Sequence, residues 1–216
     1  MCNEEKGKKM KYKYPRTYNL PFSLGYTSDD KGLENDNQFH KKEVVITEKM
    51  DGENTSIYKD YCHARSIDSS HKDYHSWLLN YIKNFQYLIP NEYRICGEYL
   101  YAKHSIKYTE LDSYFLAFSV WDGNVCFSWD DTEKFCKSIG LKMVPVLYKG
   151  IYDKDKTLEI AEDMIEHGGE GIVVRNASSF IYDEFHNNIA KYVRKNHVQT
   201  DKHWSLKKIE KNELKK

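Results

Sequence analysis

The sequence predicts an α+β fold, and three observations carry that prediction. Short runs rich in β-branched and aromatic residues recur along the chain, a few stretches of helical periodicity lie among them, and the two kinds do not alternate as βαβ units do. With 4 prolines and 11 glycines in 216 residues, and no internal repeat or low-complexity tract, no stretch reads as an interdomain linker, so residues 1–216 are expected to form a single domain.

Taken in chain order, Val44-Val45-Ile46-Thr47 reads as a strand running towards Lys49, Asp51-Gly52 as a tight turn, and Thr55-Ser56-Ile57-Tyr58 as a second strand leaving it. Lys49 is thereby expected at a strand end. Ser69 and Ser70 are N-cap types, and Tyr74, Trp77, Leu78, Tyr81, Ile82 and Phe85 follow at helical spacing, which predicts a helix facing the core. Tyr114 to Trp121 reads as a strand, Asp122-Gly123-Asn124 as a hairpin turn, and Asp131 to Ile139 as a short helix closed by Gly140. A longer helix is expected from Lys156 to His167, ending at Gly168-Gly169, after which Glu170 opens the apolar strand Ile172-Val173-Val174. Residues 195–216 are expected to form a helical extension, with Trp204 docked on the core and Lys207, Lys208, Lys211, Lys215 and Lys216 in water.

Composition narrows the function classes. The formal net charge is +0, so the chain lacks the overall basic field of a protein that coats nucleic acid, although a local basic groove is compatible with it. The 18 tyrosines offer flat faces on which bases could stack, while most serve strands and core. No run approaches the roughly 18 apolar residues of a membrane span, and the Lys-rich amino terminus has no apolar stretch behind it. A cytoplasmic setting without membrane association is expected. Cys2, Cys62, Cys96, Cys126 and Cys136 are scattered, without a CxxC pair, and read as reduced thiols, Cys96 as core packing.

The chemistry centres on Lys49. An amine at a strand end followed by Asp51, Gly52 and Asn54 suits a covalent nucleophile with its orienting groups, though an ordinary hairpin with a surface lysine explains the same residues taken alone. Further along come Ala64-Arg65-Ser66, Cys96-Gly97-Glu98-Tyr99, Phe115-Leu116-Ala117-Phe118, Glu170-Gly171-Ile172-Val173-Val174-Arg175 and Ala190-Lys191-Tyr192-Val193-Arg194. In order and spacing, this set resembles the motifs of the covalent nucleotidyltransferases, the superfamily of ATP-dependent RNA and DNA ligases and messenger-RNA capping enzymes. Asn54 after Lys49-Met50-Asp51-Gly52 resembles the RNA ligase 2 type. Tyr14-Pro15-Arg16-Thr17 and the segment from His197 to Trp204, with His203 in it, are similar to bacterial and phage RNA-ligase-like proteins.

The resemblance implies an adenylation domain of antiparallel sheets with flanking helices, and the short stretch after Arg194 leaves no room for an appended OB-fold domain. It implies that Lys49 attacks the α-phosphate of ATP, that AMP passes from lysyl-AMP to an RNA 5′-phosphate, and that an RNA 3′-hydroxyl then displaces AMP. Glu98 would accept a ribose hydroxyl and Phe118 would stack on the purine. Arg65 would contact ribose or phosphate, and Glu170 would hold Mg²⁺ or Mn²⁺. Glu48, Arg175, Lys191 and Arg194 complete the nucleotide-binding set, and Asp51, Asn54 and Lys191 join Lys49 as catalytic candidates. A neutral nucleophile requires a cation beside Lys49, for which Lys191, Arg194, Arg175 and the metal are the candidates. The family's paired cations are separated by one residue, whereas here Val193 follows Tyr192, so Arg194 reaches the site only where the strand ends or bulges. A monomer acting on RNA ends is expected, in RNA repair, with an end-healing kinase or phosphatase as its candidate partner. The rival readings are a DNA ligase, a capping-type guanylyltransferase, and an RNA-end-binding module with a decayed site.

Overall fold

The computed structural model describes residues 11–25, 30–195 and 209–216. Cys2, His197, His203, Trp204, Lys207 and Lys208 lie outside the described residues. The strands are β1 (Tyr18–Asn19), β2 (Glu43–Glu48), β3 (Glu53–Ile57), β4 (Cys62–Ala64), β5 (Tyr93–Tyr99), β6 (Phe115–Asp122), β7 (Val125–Cys126), β8 (Val146–Ile151), β9 (Gly171–Asn176), β10 (Phe180–Ile181) and β11 (Ile189–Val193). The helices are α1 (Ser76–Ile82), α2 (Trp129–Ser138), α3 (Lys154–Glu166) and α4 (Phe185–Asn188).

The strands build two sheets, one ordered β1-β11-β9-β2-β8 and the other β10-β7-β6-β5-β3-β4. All pairings within them are antiparallel except β1 with β11, which bears out the expected α+β class. β2 carries Val44, Val45 and Ile46 at 0% exposure because it is central in its sheet and covered on both faces. Each such side chain contributes about 1.5–3 kcal/mol of apolar burial. On one face, Leu158, Ala161 and Ile165 of α3 pack with Val44, Ile46, Ile172 and Val174. In the second sheet Ile57, Ile95, Phe115 and Val120 share a core with Leu78 and Ile82 of α1 and with Phe85.

One expected connection is corrected. β2 and β3 are not a hairpin, because they belong to different sheets. β2 pairs with β8 and β9, and β3 pairs with β4 and β5, so residues 49–52 cross from one sheet to the other. The crossing is tight: a Cβ on Gly52 would lie 2.5 Å from the Tyr99 carbonyl oxygen. Helix α1 is also shorter than expected. A 3₁₀ turn, Asp73–His75, replaces its first turn, and Ser69 caps a local turn by donating to the Ser66 carbonyl (2.8 Å) instead of starting the helix. The apolar stripe nonetheless faces the core, with Tyr74, Leu78, Ile82 and Phe85 buried. Helices α2 and α3 are followed by Gly140 (φ +75°) and Gly168 (φ +88°), as the sequence predicts, but each begins two residues earlier than expected, because Ser128 and Asp153 cap their first turns.

The expected helical extension over 195–216 is not helical in residues 209–216. This segment runs extended, with Lys211 bridging Ala102 and Leu214 bridging Leu111. Its anchor is Asn212, at 0% exposure. The Asn212 amide donates to the Leu100 carbonyl (2.8 Å) and accepts from the Tyr108 N–H (3.0 Å), while its own carbonyl accepts from the Tyr114 hydroxyl (3.0 Å). Backbone groups that would otherwise be buried unpaired in the 100–114 loop are thereby satisfied. The exposed ion pairs of Lys103 and Lys107 with Glu210 and Glu213 add little beside this. Asn212→Ala is expected to lower unfolding stability by about 2 kcal/mol or more. A urea midpoint unchanged from wild type would contradict that assignment.

Candidate active site

A cleft of about 630 Å³ opens between the sheets. Thr47, Val173 and Lys191 line it from the first sheet, and Asn54, Glu98 and Phe118 from the second. Lys49 stands at the crossing. Its N–H donates to the Gly171 carbonyl (3.0 Å), which carries the β2–β9 ladder one residue past β2 before the chain turns away.

The Lys49 amine donates to Glu170 Oε2 at 2.6 Å, and Glu170 is 5% exposed. Glu170 is held at the start of β9, where its carbonyl accepts from the Arg194 N–H (3.0 Å). The next residue must be glycine: Gly171 has φ +148°, and a Cβ there would lie 2.0 Å from the Tyr192 carbonyl oxygen. Glu98 stands opposite Asn54 in the β3–β5 register, and its carboxylate accepts from the Gly52 N–H (3.2 Å).

These groups set the electrostatics. Burial alone would lower the Lys49 amine, but the Glu170 charge, with Glu98 and Asp51 behind it, outweighs burial and raises it. Burial pushes the Glu98 carboxyl up to about 8, against the pull of Lys49 and with the help of the Glu170 charge. Burial likewise raises Glu48, which lines the cleft beside Lys49. Among the protein's own groups, the charges that act most strongly on Lys49 are not the expected cations. The charges that act on the amine are carboxylates, and the ion pair holds it protonated.

The remaining candidates divide into those that face the cleft and those that support it. Arg65 lines the cleft with its Nε buried and unpartnered, and burial, then the nearby Arg16 charge, lowers it. Asn54 lines it with an unpartnered Oδ1. Phe118 presents a half-buried ring, set edge-on to Tyr14 with centroids 5.3 Å apart. Lys191 lines the cleft too, donating to Asp30 Oδ1 at 2.9 Å.

Asp51 and Arg194 lie away from the cleft lining, and Arg175 reaches it while tied to backbone carbonyls. Asp51 is absent from the cleft lining because its Oδ2 accepts from the Ser105 N–H (2.7 Å), the Ser105 hydroxyl (2.7 Å) and the Ile106 N–H (2.8 Å). It clamps the crossing to the loop braced by Asn212. Arg194 follows the end of β11 and donates to the same Ser105 hydroxyl (3.2 Å) rather than lining the cleft. Arg175 borders the cleft but is 3% exposed, donating to the Phe118 carbonyl (3.4 Å) and to that of Phe127. It positions the strand that carries Phe118.

Among the described residues no cluster of three His, Cys, Asp or Glu side chains forms a metal cage. Glu170, Glu98 and Glu48 instead supply hard oxygen donors of the kind Mg²⁺ takes one or two at a time, with phosphate and water completing its shell. Flat aromatic surface, unsatisfied amide and guanidinium atoms, and carboxylates beside an amine together suit a nucleoside phosphate. Sequence reasoning missed Asp30, whose surroundings carry no motif, and left Tyr14 to Thr17 without a role although these residues line the cleft.

Residues 42–193 match the RNA ligase family, a span that holds every one of these site residues from Lys49 to Lys191. The chain belongs to the RNA ligase family. No curated protein matches the sequence. Among solved structures, this RNA ligase family member is similar to an archaeal ATP-dependent RNA ligase, with TM-score 0.61 and 16% identity over 83% of this chain and 48% of the other. It is also similar to a Naegleria gruberi RNA ligase mutant with ATP and Mn, with TM-score 0.56 and 14% identity over 83% of this chain and 57% of that one. A third likeness is to a putative ATP-dependent DNA ligase from Aquifex aeolicus, with TM-score 0.56 and 19% identity over 84% and 50%. At these identities the likeness is one of fold, and the chain spans about half the length of these solved relatives. Among the described residues no helix is long and apolar enough to cross a membrane.

Proposed function

We propose that this chain is an ATP-dependent RNA ligase that forms a covalent lysyl-AMP at Lys49 and passes AMP to an RNA 5′-phosphate for sealing to a 3′-hydroxyl. The observation that carries the reading is the placement of Lys49 in the cleft lining, at the crossing between the sheets, in contact with Glu170 and within the influence of Glu98. An amine there is fixed in position, and its protonation is set by carboxylates that other ligands can engage.

ATP fits the lining. Phe118 offers a face for the purine and Glu98 an acceptor for a ribose hydroxyl. Arg65 and Lys191 offer cations for phosphate oxygens, and Asn54 an unused amide oxygen. Glu170, with Glu98 or Glu48 beside it, would hold the divalent metal, proposed as Mg²⁺, which when bound neutralises charge on the phosphates. Engaging Glu170 also removes the partner that keeps the Lys49 amine charged. Lys49 must lose its proton before it attacks, so the resting ion pair is a protected state of the nucleophile. Lys191 must exchange Asp30 for phosphate in the same sense.

The likeness to RNA ligases that carry ATP and Mn supports the nucleotide and the use of a divalent metal. We further propose a single-domain monomer in the cytoplasm, working in RNA repair on ends prepared by a kinase or phosphatase. The test is end joining. With ATP and Mg²⁺, 5′-phosphate and 3′-hydroxyl RNA ends are expected to be sealed faster than the matching DNA ends, with GTP inactive. Preferential sealing of DNA, or covalent labelling from GTP alone, would contradict the reading.

A further inference from the structure

A second groove adjoins the cleft. It has a volume of about 420 Å³ and shares Pro15 and Arg16 with the cleft lining, so it begins where the cleft ends. Tyr18, Lys31, Asp183 and His186 line it. These residues come from the amino-terminal segment, the 3₁₀ turn Tyr182–Glu184 and α4, and Arg16, Tyr18 and Lys31 precede the span that matches the family.

We infer that this groove binds the single-stranded RNA that carries the reacting 5′-phosphate, stacking a base on the Tyr18–His186 platform and holding the backbone with Arg16 and Lys31. The inference rests on the proposed RNA ligase function. The Tyr18 and His186 rings lie 3.9 Å apart at 20°, which gives a stacked aromatic surface of the kind unpaired bases use. Burial and then the Lys31 charge lower His186, which keeps its ring uncharged, and its buried Nδ1 is unpartnered. The Lys31 ammonium lies 5.8 Å from the Tyr18 ring centroid, and the Lys31 carbonyl is fixed by the Asn19 N–H (2.8 Å). Exposed cations beside stacked rings are what a strand-tracking groove needs.

Neighbouring residues separate the two sites. Asp30 pairs with Lys191 and lines the cleft, while Lys31, the next residue, lines the groove. Arg16 belongs to both, at the junction where a terminal phosphate would pass from groove to cleft.

The test measures binding of a short, 3′-labelled, 5′-phosphorylated single-stranded RNA by fluorescence anisotropy across a salt series, for wild type, Lys31→Glu, His186→Ala and Arg16→Ala. Affinity is expected to fall roughly tenfold for His186→Ala. For Lys31→Glu and Arg16→Ala the slope of log affinity against log salt is expected to shrink by roughly 0.7 per cation removed. Lysyl-adenylate formation by Lys31→Glu, which needs only ATP and metal, reports that the fold is intact. RNA affinities within twofold of wild type and an unchanged salt slope would overturn the inference. A wild-type chain that takes no AMP would defeat the proposed function alone, because the RNA affinities are read without catalysis.

Discussion

Glu170→Gln is expected to make the Lys49 amine more reactive towards a small amine reagent while abolishing its reaction with ATP. The wild-type amine is raised because the Glu170 carboxylate, 2.6 Å away, outweighs burial. A glutamine keeps the shape and a hydrogen-bonding group but removes the charge, so burial prevails and the amine falls. The fall is tempered by Glu98, whose carboxyl also ionises more readily once the Glu170 charge is gone. The sign follows from the raised value. In wild type, the ion pair stabilises the fold below the lysine's ordinary range and is lost as pH rises through the raised value, so free amine appears only at the alkaline end. In Glu170→Gln it appears at lower pH. Site-resolved labelling of Lys49 across pH is expected to be several-fold faster in the variant near pH 8. Adenylation is expected to fall more than about a hundredfold with the loss of a metal-binding carboxylate. Labelling that follows the wild-type pH curve would show that Glu170 does not govern the nucleophile.

The opposite signs of these two effects separate catalysis from mere reactivity. A surface lysine on a hairpin would show neither. The charges that shift the amine most are those of Glu170, Glu98 and Asp51. The resting site stores the nucleophile as an ammonium in a carboxylate cluster, and the incoming nucleotide and metal change that balance.

Much of this site was legible in the sequence because each family segment carries its side chain on a short, regular element. Lys49 ends a β-branched run, Glu98 and Phe118 sit in adjoining strands, and Lys191 lies on a strand whose alternation fixes its face. The ends of helices α2 and α3 were legible from their closing glycines, while their starts were not, because the N-caps Ser128 and Asp153 went unread. The misread features depend on distant partners. A turn-like Asp51-Gly52 between two strands suggests a hairpin, yet the pairing is decided by β8 and β9 on one side and β4 and β5 on the other, so the turn becomes a crossing. The Asp51 carboxylate reads as one facing the cleft, whereas its Oδ2 is turned to Ser105 and Ile106. The ionisation of Lys49 depends on Glu170, 121 residues away, and no local pattern reports that contact. The lysine-rich tail suggested a helix, whereas Asn212 finds its partners in the 100–114 loop and holds residues 209–216 extended.

Loss of the nucleophile is the largest effect expected. Lys49 contributes the only amine in contact with Glu170 among the described residues, and Lys191 is engaged with Asp30. Neither Lys191 nor Arg194 is therefore placed to substitute for it, and Lys49→Ala is expected to remove covalent chemistry altogether rather than slow it. Lys49→Ala also removes the half-buried partner of the buried Glu170, leaving that carboxylate uncompensated, so the variant is expected to unfold more easily than wild type while still folding. Intact mass after incubation with ATP and Mg²⁺, read under denaturing conditions, tests the central claim most directly. The wild-type chain is expected to gain the mass of one AMP, mapped to the Lys49 peptide, and Lys49→Ala to gain none. No adduct on the wild-type chain, or an equal adduct on Lys49→Ala, would contradict the assignment of Lys49 as the adenylated nucleophile.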